Sequence, residues 1–462
     1  MLDIKKFKHV HCIGIGGIGL SAIAEIFHSR GYEVSGSDMK QSDMTDHLKG
    51  KGITIYIGHD EKNVKGADLV IYSAAVSAEN PEIKAAKEAG CTVVSRAEAL
   101  GALMHDYSVS IAVSGTHGKT TTTSMVSLIL EHAHTDPTIL VGGNLAEFDG
   151  NVKVGKSDLF VTEACEYMDS FLELRPRMEI ILNIDSDHLD YFKDIDHIVD
   201  SFDRFVSLVP EDGYIIAYDA NPFVNKVAKD AKCKVVKFGF NEHSDYFASN
   251  ISFDKNGNPY FDICSGTNSG KKITSLHLSV PGEHNVSNAL AAFAACATLG
   301  VEPDEIAKTL NLYTGTQRRF DIIGTTKQNV RLIDDYAHHP TEIKATLAAA
   351  KNMEHNRLWC IFQPHTYTRT NALFKEFTEA FDDADVLIMA EIYAAREKNI
   401  HKTSSKELIT AIKEKQPSRE AYYFSNFDEI ADFVHNNAQP GDIVFTMGAG
   451  DVYKIADLLM EK

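Results

Sequence analysis

Basic residues are in short supply: 46 lysines and arginines face 65 acids, a formal charge of −19 over 462 residues. That deficit repels phosphate-rich surfaces as a whole, which excludes nonspecific binding to nucleic acid or to an acidic membrane; an anionic ligand must be caught locally. Paired cysteines are missing too. The seven thiols are scattered without a CxxC spacing, and Cys12, Cys165 and Cys296 lie inside apolar patterns, so no disulfide framework is expected and the chain reads as reduced and cytoplasmic. No window holds the roughly 18 uncharged apolar residues of a membrane helix. The lysine-led N-terminus imitates a signal peptide, but Gly14, Gly16, Gly17 and Gly19 interrupt the run, which reads as a first strand. Internal repeats and low-complexity tracts are absent, so domain boundaries rest on changes of pattern.

What is present is a regular alternation. Residues 9–15, 33–36, 69–73 and 92–95 read as short apolar strands separated by helical patterns, a parallel α/β arrangement. A second alternation starts at Ser110 and continues through 138–141, 159–163, 180–184 and 214–217. Between Tyr246 and Val280 the texture turns β-rich, with a turn at Asn256, Gly257 and Asn258, so an antiparallel insertion is expected. An Ala-rich helix over 284–299 leads through GTQRRF to a third alternation, with strands at 330–333, 359–362, 386–389 and 444–447. The length implies about three domains. We place them at 1–107, 108–313 and 314–462: an α/β chain with a Rossmann-like first domain, a central P-loop mononucleotide-binding α/β domain carrying the antiparallel insertion, and a Rossmann-like third domain.

The densest chemistry lies in SIAVSGTHGKTTTT at 110–123, where Gly, Lys and Thr follow a strand and open a helix. Gly115 and Gly118, flanking Thr116 and His117, let the backbone approach an anion, and the first N–H groups of the helix point at it with the positive end of the dipole. Lys119 is placed to meet terminal phosphates and Thr120 to offer its hydroxyl to a bridging Mg²⁺, with Thr121 next in the turn. The loop is one glycine short of GxxxxGK[ST], because Val113 stands where that pattern begins.

Gly14, Gly16 and Gly19 form GxGxxG after the first strand, with Asp38 at the distance of a ribose-binding acid. Three readings stay open: NAD in a nicotinamide-dependent dehydrogenase, a uridine diphosphate on the same helix N-terminus, or close helix packing alone. Glu163, ending the strand LFVTEA, is a reasonable Mg²⁺ ligand, whereas His188 in ILNIDSDHLDYF is by default structural, since Mg²⁺ prefers oxygen. Asn285 and Asn288 share one face at a helix start, where they either read an adenine edge or cap and solvate the helix.

Taken in order, GxGGxG, GTHGKTTT, EACE, NIDSDHLD, HNVSNALAA, RRFD, DDYAHHP and FQPHTYTRT resemble the Mur ligases across the whole chain, and the GxGGxG start with GSD at 36–38 is similar to their alanine-adding branch. The resemblance implies ATP-dependent amide formation in peptidoglycan synthesis: L-alanine joined to the lactoyl carboxylate of UDP-N-acetylmuramate through an acyl phosphate, with Mg²⁺ or Mn²⁺, by a monomer or homodimer. It implies UDP-N-acetylmuramate at Gly16, Gly17, Ile18 and Asp38, helped by Ser73 and Arg96. ATP falls to the loop at 115–121, with Asn285 and Asn288 facing adenine and Arg319 and Asp335 reaching over from the third domain. Metal falls to Thr120, Glu163 and, against the default, His188. Tyr336, His338 and Arg369 form the implied amino-acid pocket, with His365 beside the muramoyl carboxylate and His338 taking the amine proton. A ligase that attaches a preformed tripeptide to the same sugar shares most of these motifs. Two departures stand out. DSFD at 200–203 offers no lysine where several relatives carry a carboxylated one, and Cys165 and Thr366 stand where many members have Asp and some have Arg.

Overall fold

Three sheets follow one another along the chain in the computed structural model, which describes residues 2–148, 150–268, 270–395, 397–400 and 402–462. In the first, β1 (His9–Ile13), β2 (Glu33–Asp38), β3 (Thr54–Ile57), β4 (Leu69–Tyr72) and β5 (Thr92–Ser95) run parallel in the order β3-β2-β1-β4-β5. The order reverses between β1 and β4, which opens a crevice at their C-terminal ends where Gly16, Gly17 and Ser73 lie.

The second sheet has ten strands: β6 (Val109–Ser114), β7 (Thr138–Leu145), β8 (Gly150–Lys153), β9 (Leu159–Glu163), β10 (Met178–Ile181), β11 (Tyr214–Tyr218), β12 (Lys234–Gly239), β13 (Tyr246–Phe253), β14 (Pro259–Ser265) and β15 (Lys271–His277). Their order is β15-β14-β13-β12-β11-β10-β6-β9-β7-β8, so β6, which delivers the Lys119 loop, sits between β10 and β9 at the reversal. The antiparallel insertion expected at 246–280 is β13, β14 and β15. In the third sheet, β16 (Asp321–Thr325), β17 (Arg331–Asp335), β18 (Leu358–Phe362), β19 (Val386–Met389), β20 (Glu420–Tyr423) and β21 (Ile443–Met447) stand in the order β16-β17-β21-β18-β19-β20, parallel except at β16 and β17.

Apolar packing joins the first two units, and polar contacts together with the packing of Leu189 join the third. Helices Ile18–Ser29 and Arg96–His105 bury Ile23, Phe27, Leu103 and Met104 in one core with Phe160, Phe171, Phe202 and Phe205, where Phe171 stacks on Phe205 at 4.3 Å. Gly101 permits this approach, since a Cβ there would fall 2.1 Å from the Glu173 carbonyl oxygen. The third sheet has its own apolar cores, around Phe362 and Phe445 on one face and Trp359 on the other. It meets the central domain through pairs such as Arg369 with Asp187 and His117 with Glu342. The link between them carries positive φ at Gly315, Arg318 and Phe320, an irregular turn of the kind that absorbs domain rotation.

Glu179, in β10, is fully buried. Ser114 Oγ lies 3.1 Å from its Oε1 and 3.0 Å from the Ile180 carbonyl oxygen. One hydroxyl hydrogen cannot serve both acceptors, and a protonated Glu179 resolves the conflict by donating to Ser114 while Ser114 donates to Ile180. Burial pushes the Glu179 pKa up from 4.5 to about 8. The folded state therefore holds a proton that the unfolded chain releases near its ordinary pKa, and stability falls as pH rises through that window, by at most about 1.4 kcal/mol per unit. Glu179→Gln keeps the shape and a donor, and denaturant unfolding at a series of pH values is expected to show a flatter slope across the window. An unchanged slope contradicts a neutral Glu179.

Candidate functional site

Close backbone approach shapes the loop after β6. Gly118 has φ +85, and a Cβ there would come 2.6 Å from the Asn288 amide oxygen, so only glycine fits. Behind it the helix Lys119–His132 begins, its first N–H groups turned to the loop. Asn183, just beyond β10, holds the loop in place: its Oδ1 accepts from the His117 N–H at 2.8 Å and its Nδ2 donates to the His117 carbonyl at 3.0 Å. Lys119 Nζ donates to the Gly115 and Thr116 carbonyls and pairs with Glu166 at 3.0 Å. Burial works to lower the Lys119 pKa, but the charge and hydrogen bond of Glu166 together with the neighbouring Glu163 charge outweigh it and the pKa rises, so the ammonium stays charged. Sequence reading missed both Asn183 and Glu166. The signal for Glu166 was present in EACE, whose second acid stood unassigned.

Two glycines of β7 lie against Thr120 and Glu163. Glu163 Oε1 accepts the Gly142 N–H at 2.6 Å; a Cβ on Gly142 would lie 2.8 Å from both Glu163 carboxylate oxygens, and one on Gly143 would lie 3.2 Å from Thr120 Cγ2. A hydroxyl and a carboxylate in such a cradle form a hard-oxygen set that fits Mg²⁺. His188 lies beside Glu166 and Tyr167, with φ +53, its Nε2 3.9 Å from Glu166 Oε1 and its ring 4.6 Å from that of Tyr167. Met168 and Asp169 also have positive φ, so strained backbone concentrates where the chain turns back on the site.

A cavity of about 560 Å³ opens off the loop between the central and third domains. It brings together His117, Gly118, Thr121, Asn285, Asn288, Arg319 and Asp335. The two asparagines do not cap their helix, whose N-cap is Gly282. Instead, Asn288 Nδ2 donates to Asn285 Oδ1 at 3.0 Å, and Asn285 Nδ2 donates to the Pro281 carbonyl. Asp335 accepts the Phe320 and Ala337 N–H groups at 2.8 and 2.7 Å, and burial pushes its pKa up to about 6. The Arg319 guanidinium lies 4.9 Å over the Tyr336 ring.

A second cleft, of about 430 Å³, lies between Tyr167 and Asp187 to Asp190 on one side and His365 to Leu373 on the other. Arg369 Nε donates to Asp187 Oδ1 at 3.0 Å, Nη2 reaches Asp187 Oδ2 at 3.4 Å, and Nη1 lies 3.1 Å from His365 Nδ1. Asp187 thus takes the side-on edge of the guanidinium. His365 Nδ1 engages Nη1 as well, which leaves the end-on edge, one hydrogen each on Nη1 and Nη2, for a ligand carboxylate. Tyr336 and His338 stand between the two cavities, Tyr336 under Arg319 and the His338 ring 5.9 Å from that of His365. Burial pushes His338 down to about 3 and His365 to about 4, so both rings are neutral. His338 Nδ1 lies 3.0 Å from the Tyr336 carbonyl oxygen and donates to it, leaving Nε2 as an acceptor.

In the first domain, Gly16, Gly17, Ile18, Asp38, Ser73 and Arg96 gather at the C-terminal ends of β1, β2, β4 and β5. The Gly16 N–H donates to Asp38 Oδ2 at 2.9 Å, so this carboxylate braces the glycine loop. Ser73 packs against Gly14, and Arg96 covers Gly19. The Ile18 carbonyl accepts from Asn151 Nδ2 of the central domain at 2.9 Å. His365, placed by the resemblance beside the muramoyl carboxylate, lines the cleft with Arg369.

Comparison with known proteins follows the same three-part order. Residues 9–108 match the catalytic domain of the Mur ligase family, 113–296 the Mur ligase middle domain and 318–450 the Mur ligase glutamate ligase domain. The chain is 49% identical over 459 residues to the UDP-N-acetylmuramate–L-alanine ligase of Alkaliphilus metalliredigens, covering 99% of this chain and 98% of that one. It is 48% identical over 462 residues to that of Acetivibrio thermocellus, covering 100% and 97%. Among solved structures it is similar to the UDP-N-acetylmuramate-alanine ligase of Thermotoga maritima, with a TM-score of 0.81, 29% identity and 98% of each chain covered. A murein peptide ligase from Psychrobacter arcticus gives a TM-score of 0.73 at 28% identity, again over 98% of each chain. Matched by family domains in all three parts and by alanine ligases along its full length, the chain belongs to the Mur ligase family.

Proposed function

We infer that the protein is an ATP-dependent ligase joining L-alanine to the lactoyl carboxylate of UDP-N-acetylmuramate, with release of ADP and phosphate, in peptidoglycan synthesis. The observation that carries this reading is a continuous set of contacts from the phosphate end to the carboxylate end. Lys119 pairs with Glu166, Glu166 lies beside His188, and the adjacent Asp187 pairs with Arg369 of the third domain.

A carboxylate is a poor acyl donor at neutral pH because oxide is a poor leaving group, so the oxygen must first become phosphate. The lactoyl carboxylate attacks the γ-phosphorus of ATP, ADP leaves, and the acyl phosphate then loses phosphate to the amine of alanine. Two anions must meet in the first step. Lys119 exchanges the Gly115 and Thr116 carbonyls for phosphate oxygens and offsets that repulsion. Thr120 and Glu163 would hold Mg²⁺, with His188 for a second ion, and bound there Mg²⁺ neutralises charge on the β- and γ-phosphates. The end-on edge of Arg369 takes the alanine carboxylate and so sets where the amine lies. His338 accepts a hydrogen bond from that amine at Nε2 and orients it; as a buried, weakly basic ring it does not retain the proton at neutral pH.

Phosphate release from ATP, Mg²⁺ and UDP-N-acetylmuramate tests the reading. It is expected to depend on L-alanine and to be insensitive to a preformed peptide. Release driven by the peptide and not by alanine assigns the recycling reaction instead, and release with neither refutes both.

A further inference from the structure

We propose that His117, Asp185 and His339 form a site for a zinc-class divalent cation, distinct from the Thr120, Glu163 and His188 set, that ties the central domain to the third. One donor atom from each of the three residues lies within 4.8 Å of the other two. The His117 Nε2 to Asp185 Oδ2 separation is 3.4 Å, close to the edge of a tetrahedron built on zinc bonds of about 2.1 Å. Two imidazoles and a carboxylate are the donors that borderline cations take in preference to Mg²⁺, and a water completes such a set.

The groups behind the ligands match the same chemistry. His117 Nδ1 lies 3.2 Å from Glu342 Oε1, and His339 Nε2 lies 2.9 Å from the Ser186 carbonyl oxygen. A carbonyl can only accept, so His339 carries its hydrogen on Nε2 and presents the Nδ1 lone pair, now met by the Thr341 N–H at 3.3 Å. A carboxylate behind one ring and a carbonyl behind the other are what fix metal-bound histidines in tautomer and direction. Thr341 Oγ1 donates to Asp185 Oδ2 at 2.8 Å and aims the carboxylate.

Location supplies the consequence. His117 belongs to the loop after β6, Asp185 follows β10, and His339 is the N-cap of the helix Pro340–Lys351 in the third domain. A cation held by all three bridges a boundary otherwise closed by ion pairs such as Arg369 with Asp187 and by the packing of Leu189. It also fixes His117, which lines the 560 Å³ cavity. Occupancy therefore resists domain opening and couples to whatever the cavity binds.

The test uses the full chain without nucleotide, in excess Mg²⁺ so that hard-oxygen sites are filled. Zn²⁺ titration by calorimetry is expected to give one equivalent, and Co²⁺ in its place the visible absorption of a tetrahedral ion. His339→Gln is expected to abolish both signals and Glu163→Gln to retain them. Glu342→Gln, which removes the group behind His117, is expected to weaken binding about 10- to 100-fold. Should His339→Gln fail to fold by circular dichroism, Asp185→Asn serves as the ligand variant. No binding in excess Mg²⁺, binding that survives loss of a ligand, or binding lost in Glu163→Gln overturns the proposal, the last by placing the cation at the other set.

Discussion

Lys119→Ala is expected to lower kcat/KM for ligation by about 10³-fold or more, because it removes a preorganised cation from the point where two anions must meet. The size follows from the setting. Lys119 is partly buried and already held in a charged state by Glu166 and two loop carbonyls, so it needs little reorganisation as phosphate arrives. The same setting complicates the single variant. Glu166 has a side chain only 3% exposed, and stripping a buried carboxylate of its partner costs on the order of 3–5 kcal/mol of stability. Lys119→Ala combined with Glu166→Gln separates the two effects: melting should recover toward that of the parent protein while phosphate release does not. If the double variant turns over within tenfold of the parent, Lys119 has no place at the phosphate.

Arg369→Lys is expected to raise KM for alanine by about 30- to 100-fold with little change in KM for ATP. Arg369 makes two uses of one planar group, side-on to Asp187 and end-on to the ligand. An ammonium is a point charge and cannot serve both edges. A charge-assisted bidentate contact is worth about 2–3 kcal/mol, which sets the expected factor. Steady-state kinetics with each substrate varied in turn gives the answer. A change confined to ATP would move Arg369 to the nucleotide, and an unchanged KM for alanine would leave the amino acid without its anchor.

Local features were legible in the sequence and distant partnerships were not. The strand before the Lys119 loop, the glycine turns and the insertion at 246–280 follow from period, propensity and turn chemistry within a few residues. β3 escaped because it is short and mostly exposed, so burial imposes no clear alternation on Thr54 to Ile57. β12 and β20, which begin on the charged Lys234 and Glu420, fall outside the strands expected from the sequence. A strand expected to run to residue 184 stops at Ile181: Leu182 still donates to Ser114 at the end of β6, and Asn183 is given over to the loop beyond it, its carbonyl accepting the Thr116 N–H. Residue type and spacing single out Lys119 and Glu163 as candidates within their own motifs, but the Arg369 and Asp187 pair spans 182 positions, and nothing within either motif names the other. His338 illustrates the same limit: its place in DDYAHHP suggests a proton acceptor, whereas burial, which only the fold reveals, makes it a weak one. GxGxxG near the N-terminus is equally compatible with NAD, and it took the ordered motifs of the whole chain to point elsewhere.

The central claim is that ATP activates the sugar-borne carboxylate by phosphorylating it. Transfer of ¹⁸O from UDP-N-acetylmuramate labelled in the lactoyl carboxylate to inorganic phosphate, followed by mass spectrometry during turnover with alanine, tests it directly. The account requires one labelled oxygen in each phosphate released; phosphate free of label, with amide product still formed, would contradict it.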